Sequence, residues 1–313
     1  MTSVAPGFYG KLPSHGDFIR RRLGGAFIDQ WDSWLQAAMA GSKEQLGAGW
    51  IETYLNSPLW RFVFAPGVCG PQMSAGVFMP SVDRAGRYFP MTLAVHLPEP
   101  VNPLSLASEY DDWFSRAETL LLSALDDSMP FDLDVFDVQV ESCVLDLGAS
   151  PGLPAGSESA LFPGGQKSWH IGISSADHLA ASLRHLHWIQ LREQFNPISL
   201  WWTNGSAQAA PSCLVCEGIP SADSFAAMLD GSWASRRWPS VGLQANSRQT
   251  VSFSAAAAPA AAPAFGAAPP ASDVMPETPQ VAAAPPAPAE SEPVHDVPGP
   301  APAAAEAASP APA

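Results

Sequence analysis

The residues best suited to chemistry lie in a short loop inside the apolar stretch 76–95, GVFMPSVDRAGRYFPMTLAV. Val, Phe, Met and Leu dominate Ala75–Met79 and Tyr88–His96, so we predict two strands there, each with at least one buried face. A hairpin loop between them would present a fixed set of charges to a substrate or a partner. The loop holds Ser81, Asp83, Arg84, Gly86 and Arg87 between two prolines, Pro80 and Pro90.

A second polar set precedes this hairpin candidate in the sequence, and it allows one enzymatic interpretation. His15 and Asp17 could serve a hydrolase in which an arginine pair holds an anion. The chain shows no activated nucleophile with an orienting third group, no phosphate-binding loop and no nucleophile elbow. Two interpretations therefore stay open for the whole polar set, which either folds the loops or binds a partner: Lys11, Ser14, Asp17, Arg20, Arg61, Ser81, Asp83, Arg84 and Arg87.

Three other groups could suggest metal or redox chemistry, and in each the spacing favours a structural role. Cys213-Leu-Val-Cys216 lies in an apolar segment that we predict to be a strand with buried, inert thiols. His178, His185 and His187 lack the glutamate of a zincin motif. The acidic residues between Asp126 and Glu141 lack the spacing and glycine of a calcium loop. We therefore predict no metal and no cofactor, and a solvated acidic face that could meet a basic partner.

Strands and helices must position these residues, and their order predicts an α+β fold. We expect a largely antiparallel sheet flanked by helices, because several strand candidates follow one another without a helix between them. The predicted strands are 7–12, 60–65, 75–79, 88–96, 168–173, 198–203 and 213–217. The predicted helices are 26–40 with a further turn to Leu46, 106–125, 177–194 and 221–229, while 131–147 could be either type.

Composition divides the chain into a folded part, residues 1–250, and a tail, residues 251–313. All eleven tryptophans fall in the first part, which implies a substantial core. The tail is mostly Ala and Pro, has no Lys or Arg after Ser254, and is predicted to be disordered and acidic.

The net charge of −15 argues against nucleic acid and against anionic membrane surfaces as partners. The N-terminus lacks the features of a signal peptide, and alanine-rich runs are broken by proline, so we expect a cytoplasmic protein without membrane insertion.

Four blocks in order resemble the TagF (also called ImpM) family of type VI secretion proteins. They are GFYGKLPSHGDFIRR (7–21), FIDQWDSWL (27–35), YLNSPLWRF (54–62) and PSVDRAGRYFPMTLA (80–94). ISLWWTNG (198–205) and the segment to Trp238 are more weakly similar to the family's C-terminal part. The motif positions that match are Lys11, Gly16, Asp17, Arg61, Ser81, Asp83, Arg84 and Gly86.

This resemblance implies a longin-like N-terminal part and a cytoplasmic, non-enzymatic regulator of type VI secretion. Family members are post-translational repressors thought to contact a forkhead-associated scaffold protein. No catalytic residues carry over, and a partner-binding role for the matched residues is our own hypothesis. A structural assembly factor of the same system is the main alternative, and a hydrolase using His15 and Asp17 is the second.

Overall fold

The computed structural model describes residues 3–98, 100–126, 130–148 and 179–239, which belong to one compact unit. Within these ranges the strands are β1 (Ser3–Val4), β2 (Gly7–Gly10), β3 (Ile19–Arg21), β4 (Trp60–Phe64), β5 (Met73–Met79), β6 (Met91–Leu97), β7 (Leu145–Asp146), β8 (Ile198–Thr203) and β9 (Ser212–Glu217). The helices are α1 (Gly25–Leu46), α2 (Trp50–Leu55), α3 (Pro103–Glu109), α4 (Asp111–Ser123), α5 (Leu133–Ser142), α6 (Leu179–Gln194) and α7 (Phe225–Asp230).

Seven of these strands form one sheet in the order β3-β2-β6-β5-β4-β8-β9, and every neighbouring pair is antiparallel. The small β1–β7 pair is separate from it. The predicted α+β fold with a largely antiparallel sheet is therefore confirmed. Among the described residues, no helix combines the length and apolar character that crossing a membrane requires.

Helices cover both faces of the sheet, and this explains why its central strands are continuously apolar. All residues of β4 and β5 are buried, without the polar alternation of a half-exposed strand. On one face, Trp31 of α1 packs among Phe62, Phe64 and Trp201 and donates its indole N–H to Thr92 Oγ1 at 2.9 Å. On the other face, α4 and α5 close a second core around Phe8, Leu93, Trp113, Phe114 and Phe136.

Two predicted elements differ from the observed ones for local reasons. The predicted helix 106–125 is two helices, because Tyr110 leaves helical geometry (φ −116°, ψ 27°), which places Asp111 and Asp112 in the first turn of α4. The second hairpin strand begins at Met91, after Pro90, with only a bridge between Val82 and Tyr88 before it. Pro90 has no N–H to donate to a ladder, so a strand starts more readily after it.

The ambiguous region 131–147 contains both α5, capped by the Asp132 carboxylate, and the short β7. The predicted strand 168–173, the start of the predicted helix at Asp177, and the tail after residue 250 lie outside the described residues.

Candidate functional site

The carboxylate of Asp83 organises the loop between β5 and β6. Asp83 Oδ1 accepts hydrogen bonds from the backbone N–H groups of Ala85 and Arg87, each at 2.9 Å. Its other oxygen accepts from Arg87 Nε at 2.7 Å and from Lys11 Nζ at 2.8 Å. Gly86 completes the turn with φ +79°, a conformation that favours glycine. The segment Asp83–Arg87, hereafter the DRAGR loop, is thus folded around one anion.

Lys11 and Ser81 attach this loop to the rest of the fold. Lys11 follows β2 and is 5% exposed, and its carbonyl accepts a hydrogen bond from Ser81 Oγ at 2.7 Å. Tyr54 of α2, which is 1% exposed, accepts from the backbone N–H of Ser81 at 3.0 Å and donates to the carbonyl of Ser81 at 3.1 Å. The base of the loop is therefore fixed to α2 and to the end of β2.

Asp83 stays ionised in this site although its side chain is fully enclosed. Burial alone would raise the pKa of Asp83, because it disfavours the charged form. Hydrogen bonds from Lys11, Arg87 and Ala85 outweigh burial and hold the pKa of Asp83 well below its usual range. The negative charge is thus available at any physiological pH to hold the loop.

The exposed part of the site is positive and carries one aromatic ring. Arg84 and Arg87 both project to solvent, and the Arg87 guanidinium also donates to the carbonyl of Gly16. Arg84 has no side-chain hydrogen bond or ion pair with the described residues, and a Cβ on Gly16 would lie 3.9 Å from its Nη2. Beside them, the ring of Phe18 is 40% exposed although it stacks on Tyr9 and contacts Phe89.

The turn Pro13–Phe18 is held against the DRAGR loop. The backbone N–H of Arg84 donates to the carbonyl of His15 at 2.9 Å, and Lys11 Nζ lies 4.8 Å from the centre of the Phe18 ring. Asp17 is exposed at this surface, where its carboxylate accepts from the backbone N–H of Phe18. Residues 13–18 and 83–87 therefore form one surface, which we call the loop surface.

Arg61 is built into a different place. It is 2% exposed on β4, and its guanidinium binds Glu118 of α4 through two hydrogen bonds, at 2.7 and 2.8 Å. It also donates to Asp111 and to Ser115, and it lies over the Phe114 ring. Burial alone would lower the pKa of Arg61, but Glu118 and Asp111 raise it. Arg61 thus joins α4 to the sheet and does not contribute to the loop surface.

The predicted site residues therefore separate by exposure. Asp17, Arg84 and Arg87 are exposed, whereas Lys11, Ser81 and Asp83 are buried and support them. Partner binding by Asp17, Arg84 and Arg87 stays a prediction. The buried residues could affect binding only by positioning these exposed side chains.

His15 and Asp17 do not form a catalytic pair in this arrangement. The ring Nδ1 of His15 is 2.9 Å from Ser14 Oγ, and the Asp17 carboxylate binds the backbone of Phe18. Within the described ranges no hydrogen bond joins Asp17 to His15, so the orienting group of a triad is missing there.

The cysteine motif is a strand, β9, as predicted, but it is not buried as predicted. Cys213 is exposed and Cys216 is half-buried, because β9 is an edge strand of the sheet. The two thiols lie three residues apart on a strand, so they point to opposite faces and do not share a ligand. The part of the chain that the structure describes contains no cluster of three His, Cys, Asp or Glu side chains suited to a metal ion. His178 lies outside that part.

From the sequence we missed several residues that contact the predicted ones, both at the loop surface and around Arg61. Tyr54 was not singled out, although it lies in the same sequence block as Arg61. Phe18 follows Asp17 directly, and an exposed aromatic beside arginines is typical of binding surfaces. Glu118 gave no signal, because its pairing with Arg61 depends on how α4 crosses the sheet.

Comparisons with known proteins agree with this architecture. The family model of the TagF N-terminal domain, described as type VI secretion system-associated, matches residues 7–142. A crystal structure of PA0076 from Pseudomonas aeruginosa PAO1 is 33% identical, covers 77% of this chain and 98% of its own, and superposes with a TM-score of 0.58. No curated protein sequence matches the chain.

Proposed function

This chain belongs to the TagF family of type VI secretion-associated proteins, and from that premise we propose that it represses secretion by holding a cytoplasmic component in an unproductive complex. The proposed partner is a forkhead-associated scaffold protein, and the proposed compartment is the cytoplasm. No turnover is involved, so the extent of repression depends on the ratio of the two proteins. Sequestration of this kind needs a rigid recognition surface more than it needs reactive groups.

The loop surface is the region that best supports this proposal. Arg84 and Arg87 are exposed, and the backbone that carries them is fixed by the enclosed Asp83 carboxylate. A binding loop that is already ordered loses less conformational entropy when a partner binds. Arginine and exposed aromatic residues also contribute disproportionately to binding energy at protein interfaces. Arg84 and Phe18 are an exposed arginine and an exposed aromatic residue on this ordered surface.

Two features oppose a catalytic role. The charged pair beneath the loop surface, Lys11 and Asp83, is enclosed, so neither group can reach a substrate. Of the exposed charged groups, Arg84 and Arg87 stay protonated and are therefore poor general bases. The Asp17 carboxylate accepts a hydrogen bond from the backbone N–H of Phe18 and is not paired with His15. A surface with these properties is better suited to recognition.

Retention of the scaffold protein by the immobilised chain tests the proposal directly. We expect Arg84→Glu to reduce retention at least tenfold, because it reverses an exposed charge that pairs with none of the described residues. Arg116→Glu is the matched control, since Arg116 is exposed on α4 on another part of the fold. Equal retention of the wild type and the Arg84→Glu variant would contradict the loop surface as the binding site.

Secretion from a deletion strain distinguishes the repressor from an assembly factor. Loss of a repressor raises secretion, whereas loss of an assembly factor lowers it. Complementation with the Arg84→Glu variant should leave secretion high if sequestration through this surface is the mechanism. Restoration of repression by that variant would contradict the mechanism.

A further inference from the structure

Helix α5 presents an apolar face to solvent. Val135 and Val138 are 54% and 66% exposed, more than any other large hydrophobic side chain in the described ranges. They lie three residues apart on one helix, so their side chains lie on the same side of it. Isolated exposed valines are common and need no explanation, whereas neighbouring exposed apolar residues on a packed helix make a candidate interaction surface.

Helix α5 is firmly packed, so fraying does not explain this exposure. Its opposite side buries Phe136 and Val140, and the Phe136 ring lies 5.3 Å from that of Phe8. The Asp132 carboxylate caps the first turn by accepting from the N–H groups of Asp134 and Val135. At the other end, Trp113 donates to the carbonyl of Cys143 at 2.9 Å.

Negative charge surrounds the two valines. Asp132, Asp134 and Glu141 are all exposed on or beside α5, and the sequence contains no Lys or Arg between Arg116 and Lys167. Two cations reach the helix, and both pair with Asp137: Arg22 at 2.6 Å and Arg21 at 3.6 Å. Asp132, Asp134 and Glu141 have no ion pair among the described residues, so the charge beside the valines stays negative. A partner that covers the valines must therefore bring positive charge to the rim of the contact.

We propose that the face of α5 formed by Val135 and Val138 binds a helical segment of a partner protein that carries an apolar stripe flanked by Lys or Arg. The acidic rim would attract the basic flanks, and the valines would be buried against the stripe. A second copy of this chain fits poorly, since its net charge of −15 and its own acidic rim would be repelled. Phosphate-bearing partners are disfavoured for the same reason. The proposal does not depend on the loop surface.

A designed peptide pair provides the test with the full chain. The probe is an 18-residue helix with leucine along one side and lysine along its flanks. Its control is an isomer of the same composition with the leucines distributed around the helix. We expect the probe to bind at least tenfold more tightly than the isomer at physiological ionic strength. Equal affinity for the two peptides, or no binding of the probe, would overturn the proposal.

Variants then assign the binding to α5. The double variant Val135→Ser/Val138→Ser should weaken probe binding at least tenfold, whereas Ile51→Ser, which changes another exposed hydrophobic residue (48% exposed) on α2, should not. The double variant Asp134→Asn/Glu141→Gln should also bind the probe more weakly than the wild type, because the attraction to the lysines is lost. The difference between the two affinities should grow as the salt concentration is lowered. Circular dichroism and thermal melting establish that the variants fold. If the valine variant binds the probe as tightly as the wild type does, the proposal is overturned. Arg84→Glu changes a residue on the loop surface and should leave the affinity for the probe unchanged.

Discussion

Arg61 and Asp83 are both enclosed charges in matched family motifs, yet they are the centres of two very different clusters. Arg61 is a buried cation that reaches outward to carboxylates on α4, where Asp111 is 69% and Glu118 18% exposed. Asp83 is a buried anion that collects donors from its own loop and from Lys11. The first cluster joins a helix to the sheet, and the second shapes a loop.

The difference lies in what remains exposed once each central charge is satisfied. Around Arg61 the outer groups are the carboxylates that it binds, so each of them already has a cationic partner within the fold. Around Asp83 the outer groups are Arg87, whose side chain is 59% exposed, and Arg84, whose side chain pairs with none of the described residues. Enclosing the one anion of a loop that also contains two arginines leaves the exposed side of that loop positive. The same residue types in the same family signature therefore serve architecture in one place, and in the other they leave exposed the charges for which we propose a role in recognition.

Removing Arg61 should have the largest effect on stability. Arg61→Ala deletes a buried guanidinium and leaves Glu118 without its partner, so we expect the free energy of unfolding to fall by about 3–5 kcal/mol. Arg61→Lys should lose less stability than Arg61→Ala, because it keeps the positive charge. It should still be less stable than the wild type, because an ammonium cannot reproduce the bidentate contact. Urea denaturation measures both values. Arg116→Ala is the control, and its free energy of unfolding should change by no more than about 0.5 kcal/mol. A similarly small change for Arg61→Ala would show that the Arg61 cluster does not stabilise the fold.

Neutralising Asp83 should have the next largest effect and should make that effect depend on pH. Asp83→Asn leaves Lys11 enclosed without a counter-charge, and we expect a loss of about 2–3 kcal/mol at pH 7. The folded pKa of Asp83 is depressed, so its stabilisation is complete above the unfolded value of about 3.9 and is lost as the pH falls below it. The difference between wild type and variant should therefore shrink below about pH 4. A difference that stays constant from pH 7 to pH 2 would contradict the role of the charged carboxylate.

The two exposed arginines should have the smallest effects on stability, and they should differ from each other. Arg87→Ala removes the exposed ion pair with Asp83, which solvent screens, so we expect a loss of up to about 1 kcal/mol. Arg84→Ala should change the unfolding free energy by less than about 0.5 kcal/mol. Thermal melts of the two variants measure this order. A larger loss for Arg84→Ala would assign that residue to the architecture and weaken its candidacy for binding.

Several parts of the fold were readable from local pattern alone. The spacing of Phe27, Trp31, Trp34 and Leu35 predicted α1, and apolar runs predicted β4, β5 and β8, because periodicity and run length depend on near neighbours. The break at Tyr110 was missed, since both sides of it carry a helical pattern. The exposure of Cys213 was missed too, because strand order, which places β9 at the edge, is not encoded locally.

By itself the sequence determined the α+β class, the position of the charged loop and the family, through four blocks in order. Only the tertiary structure decided which charges pair, because the partners are far apart in the chain: Lys11 binds Asp83, and Arg61 binds Glu118. Burial separated the matched residues into those that support the fold and those that face solvent. Charge type is a property of each residue, whereas exposure and pairing arise only when strands and helices are brought together.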